Sequence, residues 1–177
     1  MKKLISLTAL ALALSVGANA YAEKSAGEHV DDSALTARVK FALLEQSVSD
    51  ATAINVETSK GVVQLAGFVK SDSIKSMAGR VTAGVDGVDS VSNRLIVRSE
   101  KRSAGTTLDD NILAAKVKLK LVESKETSGG KMNVEIREAV VELSGFVDSY
   151  EERDAAVKLV TAIDGVKDVI NSVDISR

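Results

Sequence analysis

The chain has 177 residues, with no cysteine, no proline, no tryptophan and one histidine, so disulfides, thiol chemistry and Cys/His zinc centres are excluded. Three Phe and two Tyr are too few for stacking on bases or sugars. Twenty-five acids against 23 bases leave a net charge of −2, which argues against a nucleic-acid partner.

Met1-Lys2-Lys3 precede an apolar run from Leu4 to Val16 and the small-residue segment Gly17-Ala18-Asn19-Ala20-Tyr21-Ala22. A charged start, a short apolar core and a small-residue cleavage site make a secretory signal peptide. The run is shorter than the roughly 20 apolar residues of a membrane span. Cleavage fits after Ala20 or Ala22, and Ala22 is preferred because Ala20-Tyr21-Ala22 is small at both ends. Residues 1–22 are then a leader, 23–29 a tail, and loss of Lys2 and Lys3 takes the net charge to −4. The expected location is the periplasm, in solution. His29 falls in the tail without a second histidine or any cysteine, so no metal site or catalytic base is expected there.

A shift of 78 residues lays 30–98 on 108–176 without a gap, and about a third of the positions are identical. The chain is therefore read as two modules, 30–98 and 108–177, joined by a polar linker, 99–107. Each module opens with a predicted helix, marked by Leu35, Val39 and Leu43 or by Leu113, Val117 and Leu121. The pairs Asp31-Asp32 and Asp109-Asp110 are expected to cap it. A hairpin follows. Ile54, Val56 and Thr58 share its inner side, and Glu57 and Glu135 point to solvent. Its turn, Ser59-Lys60-Gly61, has Ala139 in place of glycine in the second module, which is expected to alter the turn type.

The second hairpin strand is VVQLAGFV at 62–69 and VVELSGFV at 140–147. Alternation turns Val63, Leu65 and Gly67 inward, with Val141, Leu143 and Gly145. Gln64, Ala66, Glu142 and Ser144 then point outward. The glycine marks a close approach or a bulge, and a bulge would bring Phe68 and Phe146 inward. The second helix spans about 72–85 with the stripe Ile74, Met77, Ala78, Val81, Val85, matched by Ala155, Ala156, Leu159, Ile163 with Val160 beside it. Ser149 and Glu152 form a capping box. Gly87 and Gly165, each in an Asp-Gly-Val turn, are expected to close this helix. The last strand alternates Val91, Asn93, Leu95, Val97.

The expected fold class is α+β: two tandem α-β-β-α-β modules, each a three-stranded mixed sheet with two helices packed on one face. The outer sheet face carries Gln64, Ser92 and Arg94 in one copy and Glu142, Ser172 and Asp174 in the other. A module of about 69 residues is marginal alone, so the two are expected to dock or to lean on a partner.

This element order, the helix opening on paired Asp, the strand phrase with its glycine and the D-G-V-x-x-V-x-N segment resemble the BON domain, in two copies covering nearly all the chain after the leader. The resemblance implies a non-enzymatic envelope protein of hyperosmotic stress that contacts phospholipid membranes. As an alternative it implies a periplasmic chaperone for exported or outer-membrane proteins. No catalytic, cofactor or metal residue is expected, nor a nucleic-acid or small-molecule substrate. Copy one balances eight acids with eight bases, whereas copy two has fourteen acids and nine bases. The bases Lys75, Arg80, Arg94, Arg98, Lys101 and Arg102 are accordingly the expected contacts to anionic lipid. Val157 and Val160 are the spare apolar residues for client contact or for packing between modules.

Overall fold

The computed structural model describes residues 26–98 and 104–176. The leader with its cleavage sites, Lys101, Arg102 and the side chain of His29 lie outside the described residues. Module one runs α1 (Ala26–Glu45), β1 (Asn55–Ser59), β2 (Val62–Ala66), β3 (Phe68–Val69), α2 (Asp72–Ala83), β4 (Ser90–Asn93) and β5 (Ile96–Val97). Module two runs α3 (Ala104–Glu123), β6 (Met132–Arg137), β7 (Val140–Val147), α4 (Tyr150–Thr161) and β8 (Asp168–Ile175). The β1–β2 and β6–β7 pairs are antiparallel, and β2–β4 and β7–β8 are parallel, giving two mixed α-β-β-α-β sheets in an α+β fold.

Each module has its own apolar core. Leu35, Val39 and Leu43 of α1 meet Val56, Val63, Leu65 and Val69, and Leu113, Val117 and Leu121 of α3 meet Val134, Val141, Leu143 and Val147. Val69 and Val147 keep the inward phase of Val63 and Val141 across the glycine, so Phe68 and Phe146 stay half-buried outside both clusters. The expected inward turn of the phenylalanines does not occur, because the left-handed residue bends the strand without inserting a residue. In α2, Met77 is exposed and Thr82 takes the inward place. In α4 the core positions are Ala156 and Val160, joined by Ile163 just beyond its end, with Val157 and Leu159 packed against them. Val157 and Val160 are thus core, not spare surface.

Several local expectations change. α1 and α3 begin at Ala26 and Ala104, so His29 lies within a helix rather than a tail, and α3 enters the segment read as linker 99–107. Asp32 and Asp110 consequently sit inside their helices, buried, and cannot cap them. Their carboxylates instead clamp the hairpin turn. Asp32 accepts from the N–H groups of Lys60 and Gly61 at 2.9 and 3.2 Å, and Asp110 from those of Glu138 and Ala139 at 3.0 Å each. Both turns have two left-handed central residues, with φ of 51° and 75° in one and 56° and 65° in the other. The turn type is therefore unchanged, and Ala139 carries the left-handed strain that glycine avoids in module one. Gly87 and Gly165 are left-handed, as expected, but lie in the turn beyond helices that already end at Ala83 and Thr161. Ser149 Oγ accepts from Glu152 N–H at 3.1 Å, and Glu152 reaches back to Asp148 N–H.

Candidate functional site

Three surfaces carry polar or apolar groups beyond what the two cores need. The first is the seam between the modules. The outer sheet faces are pressed together, so that Gln64 and Glu142, equivalent under the repeat, are each only 1% exposed. Gln64 Oε1 accepts from Gly145 N–H at 2.7 Å, and Glu142 Oε2 accepts from Gly67 N–H at 2.8 Å. Each module thus inserts one side chain into the glycine site of the other. A Cβ at Gly67 would stand 2.5 Å from the Ala53 carbonyl oxygen, and one at Gly145 2.6 Å from that of Lys131. With φ near +115° in both, glycine is required on two counts.

The two inserted side chains differ for a reason. The amide nitrogen of Gln64 donates to Ser172 O and Asp174 Oδ2, both at 2.8 Å, acceptors that a carboxylate would repel. Glu142 meets only donors, Gly67 N–H and Ser172 Oγ–H at 2.9 Å. Burial nevertheless pushes the Glu142 carboxyl up to about 7 against these two hydrogen bonds, with Glu135 adding to the rise and Lys75 opposing it. Asp174 moves the other way. Its desolvation is outweighed by hydrogen bonds from Gln64, Ser92 and Arg94 and by the Arg94 charge, so its carboxyl lies below the usual range. Glu57 and Glu135 are not simply solvated: Asn133 donates to Glu57 at 3.0 Å and Asn55 to Glu135 at 3.4 Å. Around Gln64 and Glu142 the seam is a hydrogen-bonded polar network rather than a third core.

The bases expected to form one lipid-binding cluster are divided by the fold. Arg94 pairs with Asp174 at 2.7 Å and Arg98 with Glu138 at 3.7 Å, both across the seam. Lys75 is half-buried, close enough to Glu142 to influence its ionisation. Arg80 stands exposed on α2. Three of the four described bases of that expected cluster, Lys75, Arg94 and Arg98, are therefore turned toward the acids of copy two.

The second surface is the outer face of α3. Leu108, Ile112, Leu119 and Val122 are between 57% and 65% exposed, and exposed Ala115 completes a 4-3-4-3 spacing. Lys116 and Lys118 flank this stripe on either side. The equivalent face of α1 carries Ala34, Ala37, Phe41 and Leu44 at the same spacing, all exposed. The signal was present in the sequence as a second apolar period offset from the Leu/Val stripe. The stronger core stripe obscured it.

The third is a cleft of about 730 Å³ at one end of the seam, bordered by β4, β8 and the start of α4. Among the described residues no group of His, Cys, Asp and Glu side chains has the makings of a metal site, and no helix is long and apolar enough to cross a membrane.

Comparison with known proteins agrees with the internal repeat. The BON domain family model matches residues 31–99 and 109–177. Osmotically-inducible protein Y of Escherichia coli is 40% identical over 146 residues, 82% of this chain and 73% of that protein. The 21 kDa hemolysin of Actinobacillus pleuropneumoniae is 30% identical over 152 residues, 85% of this chain and 77% of that one. Outer membrane lipoprotein DolP of Haemophilus influenzae is 30% identical over 166 residues, 90% of this chain and 85% of that protein. Since two α-β-β-α-β modules in register with the repeat each match the model, the chain belongs to the BON domain family.

Proposed function

We propose that the protein is a non-enzymatic envelope protein of the osmotic-stress response that binds anionic phospholipid surfaces through α3. The observation that carries this reading is the exposed stripe Leu108–Ile112–Ala115–Leu119–Val122 with lysines at its flanks. Such a face, about 21 Å long, suits a helix lying in the headgroup region. The names of an osmotically-inducible and of an outer-membrane relative support the setting. The basic cluster of copy one is the weaker candidate, since Arg94 and Arg98 already have acidic partners. Co-sedimentation with anionic and neutral vesicles across a salt series tests the reading. Ile112→Ser with Leu119→Ser removes two apolar contacts of about 2 kcal/mol each, so vesicle affinity should fall on the order of 100-fold or more. Unaltered binding by the double variant would sink it.

A second reading, a chaperone for exported or outer-membrane proteins, draws on the matching stripe of α1, where Phe41 and Leu44 are exposed. Suppression of aggregation of an unfolded outer-membrane protein, lost on Phe41→Ser with Leu44→Ser while vesicle binding persists, would favour it.

A further inference from the structure

The cleft at the end of the seam differs from the lipid-facing helix in place and chemistry. Lys60 from the β1–β2 turn, Arg94 after β4 and Arg153 from α4 line it together. Asp174 is the one acidic residue of the lining, and it is held by Arg94, Ser92 and Gln64. Three cations and one carboxylate line the walls, and Asp154, outside the lining, pairs with Arg153 at 2.7 Å, which brings the local balance to +1. Ser90 adds a hydroxyl donor at the β4 wall, the Ser92 hydroxyl proton being given to Asp174, and Tyr150 lies under the Arg153 guanidinium, 5.0 Å from ring centroid to Cζ.

The duplication supplies an internal control. Under the 78-residue shift, Lys60 becomes Glu138, Ser90 becomes Asp168, Arg94 becomes Ser172 and Arg153 becomes Lys75. The far end of the seam therefore holds two acids where this end holds a lysine and a serine, and Arg98 pairs with Glu138 there. A shared structural need of the fold would have kept the same charge at both ends. Only one end has become cationic, and that end lines the cleft.

We propose that this cleft is a binding site for a phosphomonoester oxyanion on a small polar body. A phosphomonoester carries about −1.5 to −2 at neutral pH, opposite in sign to the walls, and among the described residues Lys60 is the lining cation that faces it without a carboxylate in an ion pair. The Lys60 ammonium, the Ser90 hydroxyl and the N–H groups that Arg94 and Arg153 do not give to Asp174 and Asp154 are the donors for its oxygens. Phe146 and Val173 line the same cleft and give the body an apolar wall. The phosphate could be that of a soluble metabolite or of a lipid headgroup.

The test titrates the full protein with inorganic phosphate and with glycerol 3-phosphate at low ionic strength, following backbone amide shifts. Saturable shifts centred on Lys60, Ser90, Ser92 and Arg153 are expected at millimolar concentration or below, and glycerol alone should produce none. Lys60→Glu installs the residue that the second copy bears at its own turn, so the fold tolerates it. Lys60→Glu and Arg153→Gln should each weaken binding about tenfold, whereas Arg80→Gln on exposed α2 should leave it unchanged. Arg153→Lys, the residue type of the other copy, should recover most of the loss. Displacement of glycerol 3-phosphate by vesicles containing phosphatidic acid assigns a headgroup, and no displacement assigns a soluble ligand. Absence of saturable shifts, or equal loss in all three charge variants, overturns the site.

Discussion

Glu142 concentrates the seam's chemistry in one carboxyl. Its folded value of about 7 lies above the ordinary 4.5, so the folded state holds this proton more tightly than the unfolded state does. Its contribution is complete below about 4.5 and is lost as pH rises through about 7. Wild-type stability should accordingly drop by about 2–3 kcal/mol between pH 5 and 8, measured by urea unfolding. Glu142→Gln should flatten that profile and be the more stable form at pH 8, because the amide oxygen can still accept from Gly67 N–H and the Ser172 hydroxyl can turn to accept from the amide NH2. Asp174 contributes in the opposite sense, but its loss falls below the ordinary carboxylate range and outside this window. Glycine at 67 and 145 is the other residue-scale constraint. Gly67→Ala sets a Cβ against the Ala53 carbonyl at left-handed φ and should cost more than about 2 kcal/mol. At the reverse kind of site, Ala139→Gly relieves a left-handed alanine and should raise stability by about 1 kcal/mol in the same assay.

The helix–hairpin clamp is the main device at the scale of elements. One buried carboxylate satisfies both N–H groups of a left-handed turn and ties the first helix to the first hairpin, once in each module. Asp110→Ala should destabilise by about 2–3 kcal/mol, since it strands two donors that meet a charge. Module two should suffer more than module one does from Asp32→Ala, because its turn also carries the strain of Ala139. Chemical denaturation of the two variants compares them directly. The α3 stripe is different in kind. Its residues are exposed, so Ile112→Ser and Leu119→Ser should change stability by less than about 0.5 kcal/mol each while removing the vesicle-binding face.

For the whole molecule, the seam makes the modules interdependent. Gln64 and Glu142 fill each other's glycine sites, so separating the modules leaves buried polar groups without partners. The intact chain should melt in one cooperative transition in scanning calorimetry. Isolated modules should melt lower than the intact chain, and two independent, unshifted transitions would count against docking. The seam also uses the charge imbalance of the copies, since Arg94 and Arg98 of the neutral copy meet Asp174 and Glu138 of the acidic one.

Periodicity and repetition within the sequence were enough to determine the α-β-β-α-β order, the duplication, the inward set Val63, Leu65, Val141 and Leu143, and the special status of Gly67 and Gly145. These depend on local backbone geometry and on a period that any window of the chain displays. The destinations of the polar residues depended on tertiary structure. Asp32 resembles a helix cap, Glu57 a solvated strand residue and Gln64 an outward side chain, until the hairpin turn and the second sheet come within hydrogen-bonding distance. A polar side chain is compatible with water or with any donor or acceptor the fold brings to it. Which of these it meets is decided by contacts between residues some 30 to 110 positions apart, and no local pattern encodes them.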